Sequence, residues 1–181
     1  MVNSKKWLTP MMLLIGASSL FFLSGCKNVQ VPDGVTVVDN FDINKYMGQW
    51  YEIARFDFKQ EKDLSQVTAN YSLNEDGSVK VLNRGFHDID KEWKEANGKA
   101  KFLDETDKGA LKVSFFGPFY SGYNVVMLDP DYQHALIFGE STEYIWFLSR
   151  EKTLPDQTKE LFLAKAKEAG YDLNRLVWTK Q

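Results

Sequence analysis

Between Gly48 and Ser149 the chain falls into eight short β-rich segments separated by turn residues, and this succession restricts the fold more than any other feature. The segments run 48–56, 67–73, 79–87, 92–103, 110–115, 123–128, 132–138 and 144–149. Alternation is clearest in the second, where Val67, Ala69, Tyr71 and Leu73 share one face and Thr68, Asn70 and Ser72 the other. Asn74-Glu75-Asp76-Gly77, Asp88 to Asp90, Glu105 to Gly109 and Asp129-Pro130-Asp131 supply the turns. Asp-Gly between alternating strands is a strong hairpin signal. Eight strands joined so briefly predict an antiparallel sandwich or a closed barrel.

Two connections stand apart. Asp57 to Gln66 is polar apart from Phe58 and Leu64 and reads as a long loop. Phe116-Gly117-Pro118-Phe119-Tyr120-Ser121-Gly122 hangs three aromatics on Gly-Pro turn chemistry. Helix signals occur once: Thr153-Leu154-Pro155-Asp156 reads as a capping box with an early Pro, and Gly170 as a stop. Leu161, Phe162, Ala166 and Ala169 form its apolar stripe, and Leu176-Val177-Trp178 reads as a short edge strand.

Residues 1–25 carry an address rather than a fold. Lys5 and Lys6 precede an apolar run from Met11 to Leu23, which is too short for a bilayer and fits a secretory leader. Leu23-Ser24-Gly25-Cys26 resembles the bacterial lipobox, after which the Cys is acylated and becomes the mature N-terminus. Cys26 is the only Cys of the chain, so an intramolecular disulfide is excluded and the thiol reads as a lipid attachment point. Stable anchoring takes more than one acyl chain, which the lipobox resemblance implies. Lys27, rather than Asp, follows, as in Gram-negative lipoproteins sent on to the outer membrane on its periplasmic side.

Residues 26–181 suffice for one domain, with 26–40 read as a lipidated N-terminus and tether broken by Pro32, Asp33 and Gly34. Lys5 and Lys6 are the only charges of the leader, so the net charge of −3 becomes more acidic by two units on its removal. Such a balance gives no electrostatic reason to seek nucleic acid. Membrane contact is therefore expected through acylated Cys26.

The first segment contains Tyr46-Met47-Gly48-Gln49-Trp50-Tyr51, and the last ends in Trp146-Phe147-Leu148-Ser149-Arg150. With Asn40-Phe41-Asp42, Ala69-Asn70-Tyr71-Ser72-Leu73 and Val81-Leu82-Asn83, these residues resemble the lipocalins, and among them the bacterial outer-membrane lipocalins. The similarity covers about residues 35–179. It departs at the usual Thr-Asp-Tyr, replaced here by Asp129-Pro130-Asp131 before Tyr132. The resemblance implies an all-β fold: an eight-stranded up-and-down antiparallel barrel over residues 41–181 with one C-terminal helix packed outside. It makes Gly48, Trp50 and Arg150 structural, the Arg packing across the Trp.

A barrel of eight strands is just wide enough for one small ligand. Strand alternation fixes parity, and family positions matching Tyr71, Asn83, Phe115 and Trp146 give the inward one. Ligand contacts are then expected from Tyr71, Val81, Asn83, Val113, Phe115, Tyr123, Trp146 and Leu148, with Ala69 and Leu111 on the same faces. The aliphatics read equally well as packed core. Asn83 is more telling, because a buried amide must find a partner. The expected ligand is a fatty acid or lysophospholipid, with Arg55, Lys59 or Arg84 near a head group, and the protein a monomer or homodimer. Residues 116–120 read as a wall of the mouth, a membrane contact, a dimer surface or a self-packed loop.

Two other classes stand beside this one. A lipocalin-type isomerase would use a Cys nucleophile, and Cys26 is committed to the anchor. His87 and His134 lie on separate segments, neither in a metal-ligand spacing, and Asp88 and Asp90 flank a turn. No catalytic residue, metal site or cofactor is assigned. An interaction module with a filled barrel is the other alternative, since five Trp and thirteen Phe supply the bulk.

Overall fold

A computed structural model describes residues 29–181; the leader and the acylation site read at Cys26 lie outside the described residues. Helix α1 (Ile43–Tyr46) opens the fold, capped by the Asp42 carboxylate, which accepts from the Asn44 N–H at 3.0 Å. Eight strands follow: β1 (Gly48–Phe56), β2 (Leu64–Leu73), β3 (Val79–His87), β4 (Glu92–Phe102), β5 (Ala110–Phe116), β6 (Phe119–Leu128), β7 (His134–Phe138) and β8 (Ile145–Ser149). Sequential strands pair antiparallel, and β1 pairs with both β8 and β2, closing the barrel. Helix α2 (Asp156–Glu168) packs outside, and β9 (Leu176–Trp178) adds to β1. The predicted eight strands, outer helix and edge strand are all present.

Two apolar clusters explain the layering. One fills the interior around Trp50, Tyr71, Val81, Leu111, Ile137 and Leu148. The other joins the outer wall to α2 through Ile53, Phe56, Leu136, Phe147, Phe162 and Ala166. Each strand of this half of the barrel is therefore apolar on both faces, which hides simple alternation.

The turns at 74–77, 103–109 and 129–133 sit with α1 at the floor; those at 57–63, 88–91, 117–118 and 139–144 ring the mouth. The β1–β2 ladder runs only from Gly48 to Tyr51. Toward the mouth the two strands part and the C-terminal tail fills the seam: the Gln181 side-chain amide donates to the carbonyls of Glu52 at 2.6 Å and Val67 at 2.9 Å. A register shift between Glu52 and Ala54 marks the same place.

Four details differ from the sequence reading. The helix begins at Asp156 with Pro155 as cap residue and no side-chain cap, because Thr153 lies too far upstream to reach the first free N–H groups. Leu161 of the expected stripe is exposed, whereas Phe162 and Ala166 are buried. The stretch read as a tether is partly docked, with the Val38 N–H donating to the Val125 carbonyl at 2.9 Å and the Gly109 N–H to the Val38 carbonyl at 2.9 Å. Finally, residues 116–122 are not a loop: β5 and β6 continue to a two-residue turn, Gly117-Pro118, with Phe116 opposite Phe119.

Candidate ligand-binding site

The floor is built on Trp50, which is fully buried. Its ring lies 4.8 Å from that of Tyr46, and its indole N–H donates to the Tyr46 carbonyl at 2.9 Å. Arg150 covers the outer face, its guanidinium carbon 3.9 Å from the ring centre. Its Nη1 and Nη2 atoms donate to the carbonyls of Gln49 at 2.7 Å, Lys45 at 2.9 Å and Met47 at 2.8 Å. Gly48 has φ +92°, the left-handed region that glycine enters without steric cost, and a Cβ there would meet Arg150 Nη1 only at 3.4 Å. In the departed turn, the Asp129 carboxylate accepts from the N–H groups of Gln133 and His134, and the Tyr132 hydroxyl accepts from the Asp42 N–H at 2.8 Å. The Asp129 carboxylate and the Tyr132 hydroxyl thus hold that turn without Thr-Asp-Tyr.

Above the floor, three tyrosines meet. The Tyr123 hydroxyl is 2.7 Å from that of Tyr46 and 3.0 Å from that of Tyr71. Burial raises all three phenols above the usual tyrosine range, so each keeps its proton at neutral pH. Three O–H donors share two mutual bonds, which leaves one proton free to point into the barrel.

The wall brings together most of the residues expected to line a cup. Tyr71, Val81, Val113, Phe115, Tyr123, Trp146 and Leu148 belong to one interior cluster, with Ala69 and Leu111. Asn83 stands among them on β3, opposite Ala69 and Ala96. Its side-chain carbonyl oxygen is buried and has no hydrogen-bond partner among the described residues. A buried acceptor without a partner costs about 1–3 kcal/mol.

The upper interior holds a polar cluster that the sequence reading missed. Arg55 stands opposite Trp146, and Glu52 opposite Leu148, so both face inward. Arg55 Nη1 donates to Glu52 at 2.8 Å, and the Thr179 hydroxyl donates to the same carboxylate at 2.7 Å. The loop at 57–63 folds over the mouth: its Glu61 carbonyl accepts from Arg55 at 2.5 Å, and its carboxylate accepts from the Trp146 indole at 3.2 Å. Phe58 of this loop sets its ring edge-on to Trp146 at 5.8 Å. Burial pushes the Glu61 carboxyl well above the usual range, helped by Glu52, and burial raises Glu52 as well. Arg55, expected as a free cation for a head group, is thus consumed within the wall. Arg84 is likewise engaged, its guanidinium 3.9 Å from the Trp93 ring centre, while Lys59 is exposed near the mouth.

The two histidines lie at opposite ends of the barrel. His87 Nδ1 accepts from the Asp90 N–H at 3.1 Å in a mouth turn, and His134 Nδ1 is 2.8 Å from Asp129 at the floor. Among the described residues no group of three His, Cys, Asp or Glu side chains is placed to hold a metal ion.

The lipocalin-like domain family matches residues 41–181. The chain is 46% identical to the outer membrane lipoprotein Blc of Citrobacter freundii over 93% of this chain and 96% of that protein. It is 47% identical to the Blc protein of Vibrio cholerae over 88% of this chain and 92% of that one. Among solved structures, insecticyanin from the tobacco hornworm aligns with a TM-score of 0.65 at 19% identity, covering 84% of this chain and 87% of its own.

Proposed function

This chain belongs to the lipocalin-like family, and on that premise we propose that it holds one fatty acid or lysophospholipid in its barrel while acylated Cys26 anchors it to the periplasmic face of the outer membrane. The observation that carries the reading is Asn83, a buried acceptor without a partner among the described residues, standing beside apolar side chains of the interior. A head-group or glycerol hydroxyl of a lysophospholipid supplies the missing donor. The free phenol proton of the tyrosine trio offers a donor to a ligand oxygen in turn. Burying about 0.8 kcal/mol per CH₂ gives a sixteen-carbon chain roughly 12 kcal/mol gross, and several kcal/mol of lost freedom still leave micromolar binding or tighter. Relatives named outer membrane lipoproteins support the location. Storage or transport of lipid during membrane maintenance is the role that fits such a carrier.

Native mass spectrometry of the purified protein, followed by palmitate and lysophosphatidylethanolamine titrations read by Trp fluorescence, tests the proposal. A co-purifying acyl lipid displaced one-to-one, with affinity lowered by Trp146→Ala, is expected. No adduct and no saturable titration would remove the carrier reading. A filled barrel acting as an interaction module would then lead, a reading favoured by the mutual bonding of Tyr46, Tyr71 and Tyr123.

A further inference from the structure

The mouth carries large apolar side chains where water should be met by polar ones. Phe116 and Phe119, flanking the two-residue β5–β6 turn, are 79% and 76% exposed, and Ile89 at the β3–β4 turn is 69% exposed. They occupy two of the four turns that ring one end of the barrel. Each tip is backed by an amphipathic aromatic overlaid by a cation: Arg84 sits 3.9 Å from the Trp93 ring centre, and Lys112 5.6 Å from that of Tyr120. An apolar tip followed by Trp or Tyr with a basic side chain is the order met on passing from acyl chains to head groups.

The course of the N-terminal segment points the same way. The Phe41 N–H donates to the Asp107 carbonyl at the floor, and the Val38 N–H donates to the Val125 carbonyl of β6. Gly34, Val35 and Thr36 then lie beside Val126, Phe138 and the last turn of α2. That helix end is at mouth level, because the Tyr171 hydroxyl just beyond it donates to the Tyr144 carbonyl of the β7–β8 turn at 3.2 Å. The segment therefore climbs from floor to mouth. Cys26 precedes Gly34 by eight residues, a reach of at most about 30 Å.

We propose that Ile89, Phe116 and Phe119 insert into the phospholipid leaflet, so that the protein stands mouth-down on the membrane and its ligand passes directly between leaflet and barrel. The apolar tips carry this by themselves; the height of the anchor adds to it and rests on the reading of Cys26 as acylated. Asp88, Asp90 and Lys91 flank Ile89, so the contact depends on apolar insertion rather than on a net positive patch.

The test uses the full chain bound to vesicles of phosphatidylethanolamine and phosphatidylglycerol, with a nitrobenzoxadiazole label on Phe116→Cys and, as a floor control, on Leu73→Cys. Blue-shifted emission quenched by doxyl lipids at 116 and absent at 73 is expected. Solvent-like emission at 116, or equal quenching at both, overturns the proposal, as does a dimer cross-linked through position 116 and shielded from lipid. Intact mass counts the labels: two in place of one would remove the acylation reading while leaving the contrast between 116 and 73 decisive. The double variant Phe116→Ser/Phe119→Ser should slow palmitate uptake from vesicles about tenfold or more while leaving its affinity for dispersed palmitate unchanged. Lost affinity for dispersed palmitate would place the two side chains in the cup instead.

Discussion

Arg150 and Trp50 close the floor as one unit: the guanidinium carbon stands 3.9 Å above the indole ring, and its nitrogen atoms reach the carbonyls around α1. One side chain thereby ends β8, caps α1 and seals the base of the barrel. Arg150→Ala should cost about 2–4 kcal/mol, combining a cation–π contact with charged hydrogen bonds. Arg150→Lys should recover only part, because one ammonium cannot serve several carbonyls in a plane. Urea unfolding of the three proteins measures both.

Asn83→Leu should separate stability from binding. Removing an unpartnered buried acceptor leaves the empty protein unchanged or about 1 kcal/mol more stable. The same change should weaken lysophosphatidylethanolamine about tenfold, equivalent to 1.4 kcal/mol. Tighter binding by the variant would take Asn83 out of the proposed contact set.

Glu61 gives a pH dependence with a definite sign. Burial and the neighbouring Glu52 raise its pKa in the folded chain above the ordinary 4.5. The folded chain then keeps a proton that the unfolded chain releases, so this contribution is full below pH 4.5 and declines as pH rises through the folded value. Glu61→Gln stays neutral and keeps an oxygen for the Trp146 indole. It should gain stability over the parent progressively toward pH 8, and a constant difference from pH 4.5 to 8 would contradict the assignment.

Gly109→Ala should loosen the docked N-terminal segment. A Cβ there would lie 2.7 Å from Val38 Cγ2 and 3.0 Å from the Val125 carbonyl oxygen. Since Val125 is fixed in the core of β6, Val38 has to yield. A cost of about 1–3 kcal/mol and faster proteolysis before Phe41 are expected, the second read by mass spectrometry of timed digests.

The strands were legible because Val67 to Leu73 and its counterparts alternate and are punctuated by Asp-Gly and Asp-Pro. Family positions supplied the inward parity, and Tyr71, Val113, Tyr123 and Trp146 do meet inside. Asn83 was legible as well, since an amide on an apolar face signals an unmet bond. Glu52, Arg55 and Glu61 were not: charged residues near a polar loop look like solvated surface, and nothing local says that Trp146 and Thr179 close around them. Phe116 and Phe119 were visible as odd but not as a tight turn, because Gly-Pro suits longer loops equally well.

The shift between Glu52 and Ala54 acts as a change of phase in β1. Trp50 and Glu52, both even-numbered, look into the barrel; past the shift the even-numbered Ala54 and Phe56 look toward α2, and Arg55 turns inward. One residue, Ile53, thus decides which half of the strand's code is read inside. Deleting it would restore strict alternation while every later residue kept its face, Arg55 still inward and Phe56 still against the helix. Reading the strand as though the shift were not there would instead send Phe56 inside and Arg55 against the helix. Sequence comparisons or grafts along this strand must therefore be aligned on that single position, for a gap misplaced by one residue trades the polar collar for an apolar one.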